Sequence, residues 1–249
     1  MHSLGIDLGG SGFRMGVFDL QTGELVGELH TVEFTQSPHP STVLPQICER
    51  LDDLGWKGPV GIGFPGAVVN NIAQTAPNIG EAWKEVNMAA ALQPFHDGRF
   101  HMLNDADAVA VGEQRFGHGH EGHACVLTLT IGTGLGTTVH RHGMLVPNLE
   151  YGRDPHPNRE GVLEDHLSGR ARRVGNWSIE AWCERFQEGL HHLEQRLQPT
   201  LILLYGGIVE HWSVIEPLLT TQATLAPAVL QSTAGPLGAA WSAVHHSQG

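Results

Sequence analysis

The chain has 249 residues, 41% of them hydrophobic, and a formal net charge of −12. A chain of this length and hydrophobicity can bury the core of one large domain or two smaller ones, whereas its negative charge disfavours general nucleic-acid binding because polyanions are repelled at long range. No apolar run reaches the length of a membrane span, and the first residues lack the pattern of a signal peptide, so we expect a cytoplasmic protein with neither nucleic-acid nor membrane partners.

The first half of the sequence predicts a three-stranded meander followed by alternating helices and strands. Strands are expected over 4–8, 13–20 and 25–34, linked by the turns GGSG and QTGE. Apolar residues then recur at helical spacing in VLPQICERLDDLG, which Ser41 or Thr42 can cap. A buried strand in PVGIGFPGAVV, a helical piece near VNMAAALQPF, a strand RFHMLN and a helix DADAVAVGEQRFG complete this half.

The second half repeats the strand, glycine turn, strand pattern of the opening. The segment CVLTLTIGTGLGTTVHRHGMLV predicts this unit, and a long amphipathic helix follows, with Ser178 as its cap and Pro199 as its end. A strand LILLY and a small-residue helix AGPLGAAWSAVHH close the chain. Two strand-turn-strand units of related build suggest an α/β protein of two lobes with a central cleft.

Each glycine turn lies inside a hairpin and is either a tight turn or a phosphate site. Neither GIDLGGSGFRMG nor IGTGLG leads into a helix as Walker and dinucleotide-binding loops do. Glycine turns nevertheless let successive backbone N–H groups point into one concavity and bind an anion, and Thr133 adds a hydroxyl donor to the second turn. If both hairpins face one cleft, we expect them to bind one phosphoryl donor from two sides.

Polar groups at strand ends supply the remaining chemistry of a phosphoryl-transfer site. Asp7, at the end of the first strand, is placed either to hold a hydrated Mg²⁺ against phosphates or to form an Asx turn. Asn104 and Asp105 follow an apolar strand and open a helix, so they are either a helix cap or a substrate hydrogen-bond partner and a general base. The residues alone leave the structural and the catalytic interpretation of both segments open.

Five motifs together resemble one family. The segments GIDLGGSGFRMG, GFPGAVV, NDADA, LTIGTGLGTT and LLYGGIV fall in the order found in ROK sugar kinases, within the actin-like ATPase superfamily, and the resemblance covers nearly the whole chain. VPNLEYG and DHLSGRA are most similar to the polyphosphate glucokinase branch. The resemblance implies a two-lobed, ribonuclease H-like α/β fold, Mg²⁺ as cofactor, and phosphoryl transfer from polyphosphate or ATP to the 6-hydroxyl of glucose.

The resemblance also implies a role for each matching position. Asp105 is expected to be the catalytic base, and Asp7 to bind Mg²⁺ through water. The expected sugar ligands at matching positions are Asn78, Asn104, Glu150 and Glu164, and the expected phosphate and nucleotide ligands are Asp7, Gly9, Gly10, Ser11, Gly12, Thr133, Gly134, Gly136, Gly206 and Gly207. Two arginines are added from their places in the sequence: Arg153 as a sugar ligand, and Arg14, in the first hairpin, as a ligand of the donor phosphates. We expect an N-terminal lobe over 1–104, completed by the C-terminal helix 236–249, a second lobe over 105–235, and a homodimer.

The sequence departs from the family pattern at three places. Arg153, in EYGR, stands where a histidine is expected to touch the sugar, so it donates either to a sugar hydroxyl or to an anionic group. PHPNREGV keeps Gly161 but none of the cysteines of the family zinc motif, so no structural zinc is expected. Tyr205 replaces one glycine of a triple glycine near the expected adenosine site, where its ring can stack on adenine, obstruct it or point into the core.

Three arginines within four positions, Arg170, Arg172 and Arg173, are candidate ligands for a polyphosphate chain. Charge-assisted hydrogen bonds to phosphates favour that interpretation, and the alternative is an exposed helix face paired with Glu or Asp. The sequence leaves the donor open, together with two alternatives to a glucokinase. These are an ATP-dependent kinase of another hexose or N-acetylhexosamine, and an inactive sugar-binding homologue.

Overall fold

The computed structural model describes residues 1–94, 99–120 and 122–245. The chain forms two compact units, of which unit 1 comprises Met1–Phe116 and Ser232–Gly249, and unit 2 comprises Gly117–Gln231. None of the helices in the described ranges is long and apolar enough to cross a membrane.

Twelve strands and eight helices, besides short 3-10 turns, make up the described chain. The strands are β1 (His2–Leu8), β2 (Gly12–Asp19), β3 (Leu25–Glu33), β4 (Val60–Phe64), β5 (Val68–Val69), β6 (Ile72–Ala73), β7 (Phe100–Asn104), β8 (Cys125–Ile131), β9 (Leu135–Arg141), β10 (Met144–Val146), β11 (Leu201–Tyr205) and β12 (Thr224–Pro227). The helices are α1 (Pro40–Asp53), α2 (Met88–Leu92), α3 (Asp105–Phe116), α4 (Glu164–Leu167), α5 (Gly169–Val174), α6 (Ile179–Leu197), α7 (Trp212–Ile215) and α8 (Ala234–His245).

Unit 1 is built on a five-stranded sheet in the order β3-β2-β1-β4-β7. The first three strands are antiparallel, whereas β1, β4 and β7 run parallel. Helix α8 packs closely on this sheet, because a Cβ atom on Gly5 would lie 1.7 Å from the carbonyl oxygen of Pro236, and one on Gly61 would lie 1.8 Å from that of Ala239. Only glycine fits at these two positions, and the close packing brings the start of α8 to the sheet.

Unit 2 has a five-stranded sheet of the same plan, in the order β10-β9-β8-β11-β12. Strand β8 pairs antiparallel with β9 and parallel with β11, as β1 pairs with β2 and β4. Helix α6 begins after Ser178, whose Oγ accepts from the backbone N–H of Ala181 at 3.2 Å, and it ends at the left-handed Gln198 before Pro199. Its buried face packs into the core of unit 2 through Trp182, Phe186, Leu190 and Leu193.

The structure confirms the predicted strands of the first hairpin, divides the predicted strand TTVHRHGMLV into the antiparallel β9 and β10 at a turn of His142 and Gly143, and corrects the start of α1. That helix begins at Pro40, and its cap is His39, whose Nδ1 accepts from the backbone N–H of Ser41 at 3.2 Å. The predicted cap at Ser41 or Thr42 is therefore wrong, because proline suits the first helical position and extends the helix by a turn. Phe95 of the predicted helical piece and residues 246–249 of the predicted last helix lie outside the described residues.

Candidate active site

The carboxyl ends of three parallel strands bring Asp7 and Asp105 to one edge of the unit 1 sheet. Asp7 of β1 is in register with Gly63 of β4, which is in register with Leu103 of β7, and Asp105 follows directly after β7. A Cβ atom on Gly63 would lie 3.2 Å from the Cβ of Ala108 and 3.5 Å from the Cα of Asp105, so β4 packs closely against the start of α3. Gly63 opens the GFPGAVV segment, and a glycine inside a strand signals close approach of a neighbouring element.

The first glycine turn is crowded by neighbouring backbone. The N–H of Gly9 donates to the carbonyl oxygen of Gly12 at 2.8 Å and closes the turn between β1 and β2. A Cβ atom on Gly10 would lie 2.3 Å from the carbonyl oxygen of Asn78, and one on Gly12 would lie 2.2 Å from that of Val32. Packing alone therefore requires glycine at both positions. The close contact at Gly10 also shows that the backbone of Asn78 lies against the turn, and Asn78 itself is exposed to solvent.

Arg14 and Asp7 form a cross-strand ion pair beside this turn. The two residues are opposite each other in the β1–β2 register, and Arg14 Nη2 donates to Asp7 Oδ2 at 2.5 Å. Asp7 also lies near the start of α8, where a Cβ atom on Gly235 would be 3.0 Å from the Asp7 Cγ. Because the N-terminus of a helix carries partial positive charge, the Asp7 carboxylate has two nearby sources of positive charge.

Asp105 titrates near neutral pH. Burial raises the pKa of Asp105 to about 7, the negative charge of Asp7 adds to this effect, and a hydrogen bond from the Ala106 N–H to Asp105 Oδ1 at 2.8 Å opposes it. A general base works best when its pKa lies near the operating pH. The environment of Asp105 therefore suits a group that accepts a proton from a hydroxyl.

The carboxylates of Asp7 and Asp105 also fit a Mg²⁺ ion held mainly by phosphate oxygens and water. Within the described part of the chain, no three His, Cys, Asp or Glu residues are grouped so that they could hold a metal ion by themselves. Mg²⁺ in phosphoryl-transfer sites commonly uses one or two carboxylates and keeps several waters. The repulsion between the two carboxylates, which contributes to the raised pKa of Asp105, is the observation that favours a cation at this edge.

Asn104 caps helix α3. Its Oδ1 accepts from the backbone N–H of Asp107 at 3.0 Å, and its Nδ2 donates to the carbonyl oxygen of Gly66 at 3.1 Å. The interpretation of Asn104 as a helix cap is therefore confirmed. A carboxamide can make up to four hydrogen bonds, so a substrate hydroxyl can still share it.

The second glycine turn, between β8 and β9 in unit 2, is braced by Glu164. The N–H of Gly132 donates to the carbonyl oxygen of Gly134 at 3.1 Å, and the N–H of Leu135 donates to Glu164 Oε2 at 3.0 Å. A Cβ atom on Gly134 would lie 2.6 Å from that carboxylate oxygen, whereas one on Gly132 would meet no described atom within 4 Å. The other predicted phosphate ligands of this hairpin are the exposed Thr133 and the half-buried Gly136.

Three predicted sugar ligands of unit 2 form one charged cluster. Arg153 Nη1 lies 3.6 Å from Glu164 Oε1, and the Arg153 N–H donates to the carbonyl oxygen of Glu150 at 2.9 Å. Desolvation by the surrounding chain raises the pKa of Glu150, the positive charge of Arg153 opposes this shift, and Glu164 adds to it. Arg153, at the position of the family histidine, thus has an anionic partner within the protein.

Gly206 and Gly207 form the turn after β11. At Gly206 φ is 116°, and a Cβ atom would lie 2.3 Å from the carbonyl oxygen of Ile131, so both conformation and packing require glycine. At Gly207 a Cβ atom would meet no described atom within 4 Å, which leaves room for a ligand. Tyr205 is half-buried at the end of β11, in register with Thr130.

Among the described residues, two of the three clustered arginines have no acidic partner. Helix α5 begins against the second glycine turn, where the backbone N–H of Arg170 donates to the carbonyl oxygen of Gly132 at 3.1 Å. The half-buried Arg172 donates from Nη1 to the carbonyl oxygen of Trp177 at 3.1 Å. In the described ranges, no carboxylate oxygen lies within 4.0 Å of the side-chain nitrogens of Arg170 and Arg173, both of which are exposed. The alternative interpretation, an acid-paired helix face, is not what these residues show.

The fold and these motifs define a ROK family protein. The model of the ROK family matches residues 3–147, and we conclude that the chain belongs to this family. Its mixed α/β fold is that of the actin-like ROK structures. A crystal structure of a ROK family glucokinase from Streptomyces griseus in complex with glucose and AMPPNP has a TM-score of 0.78 at 23% identity, over 96% of this chain and 98% of that one, and shows the likeness of fold.

Within the ROK family, the chain is similar to kinases that are named for polyphosphate. The chain is 34% identical to the polyphosphate glucokinase of Mycobacterium tuberculosis over 98% of its own length and 91% of the relative's. The Mycobacterium leprae polyphosphate glucokinase is 32% identical over 96% of this chain and 74% of the relative. A solved inorganic polyphosphate/ATP-glucomannokinase from Arthrobacter sp. strain KM has a TM-score of 0.90 and 30% identity over 99% of both chains.

Proposed function

We propose that the protein transfers the terminal phosphoryl group of inorganic polyphosphate, or of ATP, to the 6-hydroxyl of glucose. The observation that carries this proposal is Asp105, a carboxylate with a pKa of about 7 at the same sheet edge as Asp7 and the first glycine turn. Similarity over nearly the full length to proteins named polyphosphate glucokinase and polyphosphate/ATP-glucomannokinase supports the same reaction.

In this proposal the glycine turn of each unit is a binding site for phosphates of the donor. The backbone N–H groups of the first turn other than that of Gly9, together with the neighbouring Arg14, bind phosphate oxygens, so Arg14 exchanges its ion pair with Asp7 for the donor. Asp7 would then hold Mg²⁺ through water, and the ion would neutralise charge on the phosphates. The full donor set is Asp7, Gly9, Gly10, Ser11, Gly12, Arg14, Thr133, Gly134 and Gly136, with Gly206 and Gly207 for a nucleotide.

The proposed sugar ligands are carboxylates, amides and one guanidinium, which donate or accept in fixed directions around a pyranose ring. They are Asn78, Asn104, Glu150, Arg153 and Glu164. Asp105 accepts the proton of the 6-hydroxyl while that oxygen bonds to phosphorus and the bridging P–O bond of the donor breaks. Because the phosphoryl group carries most of the developing charge in a loose transition state, we expect the proton to move late.

Arg170 and Arg173 are the proposed ligands of a polyphosphate chain. Both are exposed, neither has an acidic partner in the described ranges, and α5 starts against the second glycine turn. A chain of phosphates presents further anions to these side chains, whereas ATP presents only three phosphates.

A product assay tests the proposal. Purified protein is incubated with Mg²⁺ and glucose, with long-chain polyphosphate in one reaction and ATP in another, and glucose 6-phosphate is measured. We expect product from polyphosphate, and product with ATP as well. Bound glucose without product from either donor would favour the inactive sugar-binding homologue.

Mannose is a second candidate acceptor, favoured by the similarity to the Arthrobacter glucomannokinase. Mannose and N-acetylhexosamines added to the same assay determine the acceptor.

We also propose that the protein is a homodimer in the cytoplasm. Family resemblance supports the dimer, and the cytoplasm is proposed because ATP, polyphosphate and Mg²⁺ are intracellular reactants. Light scattering determines the oligomeric state.

A further inference from the structure

A charged cluster beside helix α4 is not used by the proposed chemistry. It consists of His156 and Arg159 in the loop before α4, His166 on α4 and Glu188 on α6. We call it the α4–α6 bracket because it connects α4 and its preceding loop to helix α6. We infer that the α4–α6 bracket positions Glu164 for sugar binding. This inference rests on the proposed function, since it takes Glu164 as a sugar ligand.

The bracket contains a two-pronged ion pair between Arg159 and Glu188. Arg159 Nε donates to Glu188 Oε2 at 3.1 Å, and Arg159 Nη2 donates to Glu188 Oε1. The hydrogen bonds from Arg159 lower the pKa of Glu188, which is therefore ionised at neutral pH. Bidentate guanidinium–carboxylate pairs fix orientation as well as distance, so this contact holds the loop around Arg159 to helix α6.

The loop that carries Arg159 is closed at its base and leads directly into α4. The N–H of Leu163 donates to the carbonyl oxygen of Asp154 at 2.9 Å, and the N–H of His156 donates to that of Gly161 at 3.0 Å. Gly161 has a φ of 91°, which favours glycine there. Because Leu163 immediately precedes α4, the position of this loop sets the position of the helix start.

Two histidines, the buried His156 and the half-buried His166, connect the ion pair to α4. The His156 side chain is fully buried, and its Nδ1 accepts from the N–H of Asn158 at 3.2 Å. The same Nδ1 atom lies 4.0 Å from Glu188 Oε2. Burial lowers the pKa of His156, and the charge of His166 adds to the shift, so His156 packs as a neutral ring. Its ring centroid is 4.7 Å from that of His166, in an edge-to-face arrangement, and His166 lies on α4 two residues after Glu164.

Helix α4 needs these contacts because it is only one turn long. A single turn has little stability of its own, so its orientation depends on tertiary contacts. At its far end Trp182 Nε1 donates to the carbonyl oxygen of Leu167 at 3.1 Å, and a Cβ atom on Gly189 would lie 2.6 Å from Leu167 Cδ2. Helix α6 thus holds the end of α4 directly and its start through the bracket. Glu164 is the first residue of the helix and contacts both Leu135 and Arg153.

Glu188→Gln and Arg159→Gln test the inference, the first by removing a charge with little change of shape and the second by removing the guanidinium. We expect the Kd and KM for glucose to rise at least about tenfold, with kcat and the donor KM within about threefold, because the bracket touches neither donor nor reacting atoms. Reversal of the pair in the double variant R159E/E188R is expected to restore part of the glucose affinity. Arg50→Gln is the matched control, since it removes an arginine from an exposed ion pair with Asp53 in unit 1.

Amide hydrogen exchange gives a second readout that does not depend on turnover. In Glu188→Gln we expect faster exchange at residues 163–168 and unchanged exchange in α1. If a Gln variant does not fold, Arg159→Lys keeps the charge without the bidentate geometry and is expected to show an intermediate glucose Kd. Folded variants of an active wild type that bind glucose as tightly as it does would overturn this inference alone. A wild type that neither binds nor phosphorylates any tested sugar would remove the proposed function and this inference together.

Discussion

Asp105 combines its proposed catalytic role with a cost in stability. Burial raises the pKa of Asp105 to about 7 from an ordinary value of 3.8. Between these two values the folded state binds more protons than the unfolded state, so the free energy of unfolding falls as the pH rises through that window. The ionised carboxylate that the reaction needs therefore destabilises the fold, as functional residues often do.

Asp105→Asn is expected to raise the melting temperature at pH 8 by at least about 3 °C, because an amide has no charge to desolvate. At pH 5 the gain is expected to be smaller, since folded Asp105 is protonated there. Thermal unfolding of both proteins at the two pH values, without Mg²⁺ or donor, measures the difference. The exposed carboxylate of Asp53 provides the control, and Asp53→Asn is expected to change the melting temperature by less than about 1 °C. A variant no more stable than the wild type at pH 8 would show that Asp105 is not destabilised by its surroundings.

Arg14 illustrates how an ion pair can hold a site ready before its ligand arrives. Its guanidinium contacts Asp7 beside the first glycine turn, where the proposal places the donor phosphates. Arg14→Gln is expected to raise the donor KM at least about tenfold while the glucose KM changes less than about threefold, because the proposed phosphate contact is lost and the sugar ligands are not. Initial rates over a matrix of donor and glucose concentrations separate the two constants. A change confined to the glucose KM would assign Arg14 to the sugar instead.

The two glycines of the second turn are expected to respond differently to the same substitution. A Cβ atom at position 134 would overlap Glu164 Oε2, whereas one at position 132 meets no described atom within 4 Å. Gly134→Ala is therefore expected to displace the Glu164 carboxylate and raise the glucose KM at least about tenfold, while Gly132→Ala stays within about threefold. Steady-state kinetics at saturating donor compare the two variants. Equal effects would mean that the turn itself, and not its contact with Glu164, governs sugar binding.

The long and periodic elements of this fold could be predicted from the sequence. Helix α6 carries its apolar face, its Ser178 cap and its Pro199 stop in the sequence, and both glycine hairpins show strand, turn, strand patterns. The short elements could not be predicted in the same way. Helix α4 has one turn and β12 ends in a proline, so neither offers enough residues for a periodic signal.

The candidate site was predictable as a set of positions, whereas its electrostatics were not. The motifs indicate Asp7, Asp105 and Glu164 as polar groups at strand and helix ends, and their roles stay proposals. The raised pKa of Asp105 depends on burial and on a carboxylate two strands away, and the pairing of Arg153 with Glu164 depends on two separate segments. The burial of Asp105 and the contact between Arg153 and Glu164 arise only from tertiary packing, so they cannot be predicted from a single sequence.

The net negative charge of the chain affects how it can bind polyphosphate, the proposed donor. A net charge of −12 repels a polyphosphate chain at long range, so attraction has to come from local cations. The exposed Arg170 and Arg173 have no acidic partners in the described ranges, and α5 begins against the second glycine turn, so these two side chains can supply that attraction.

The double variant R170Q/R173Q is expected to raise the KM for long-chain polyphosphate at least about fivefold and to leave the KM for ATP within about twofold. The wild-type KM for polyphosphate is expected to rise with salt, and less steeply in the variant, because salt screens exposed charges. Initial rates with each donor at two ionic strengths measure both effects, and Arg50→Gln is the control for loss of a surface arginine. Equal losses with the two donors would assign these arginines to folding or to a shared phosphate site.

The central claim is that Asp105 accepts the proton of the glucose 6-hydroxyl during phosphoryl transfer from polyphosphate. Its most direct test is the rate of glucose 6-phosphate formation by the wild type and by Asp105→Asn, measured with polyphosphate and Mg²⁺ beside the glucose Kd of each protein. We expect product from the wild type and a kcat at least about a hundredfold lower in the variant, with a glucose Kd within about threefold. Near-normal turnover by Asp105→Asn, or no product from the wild type, would contradict it.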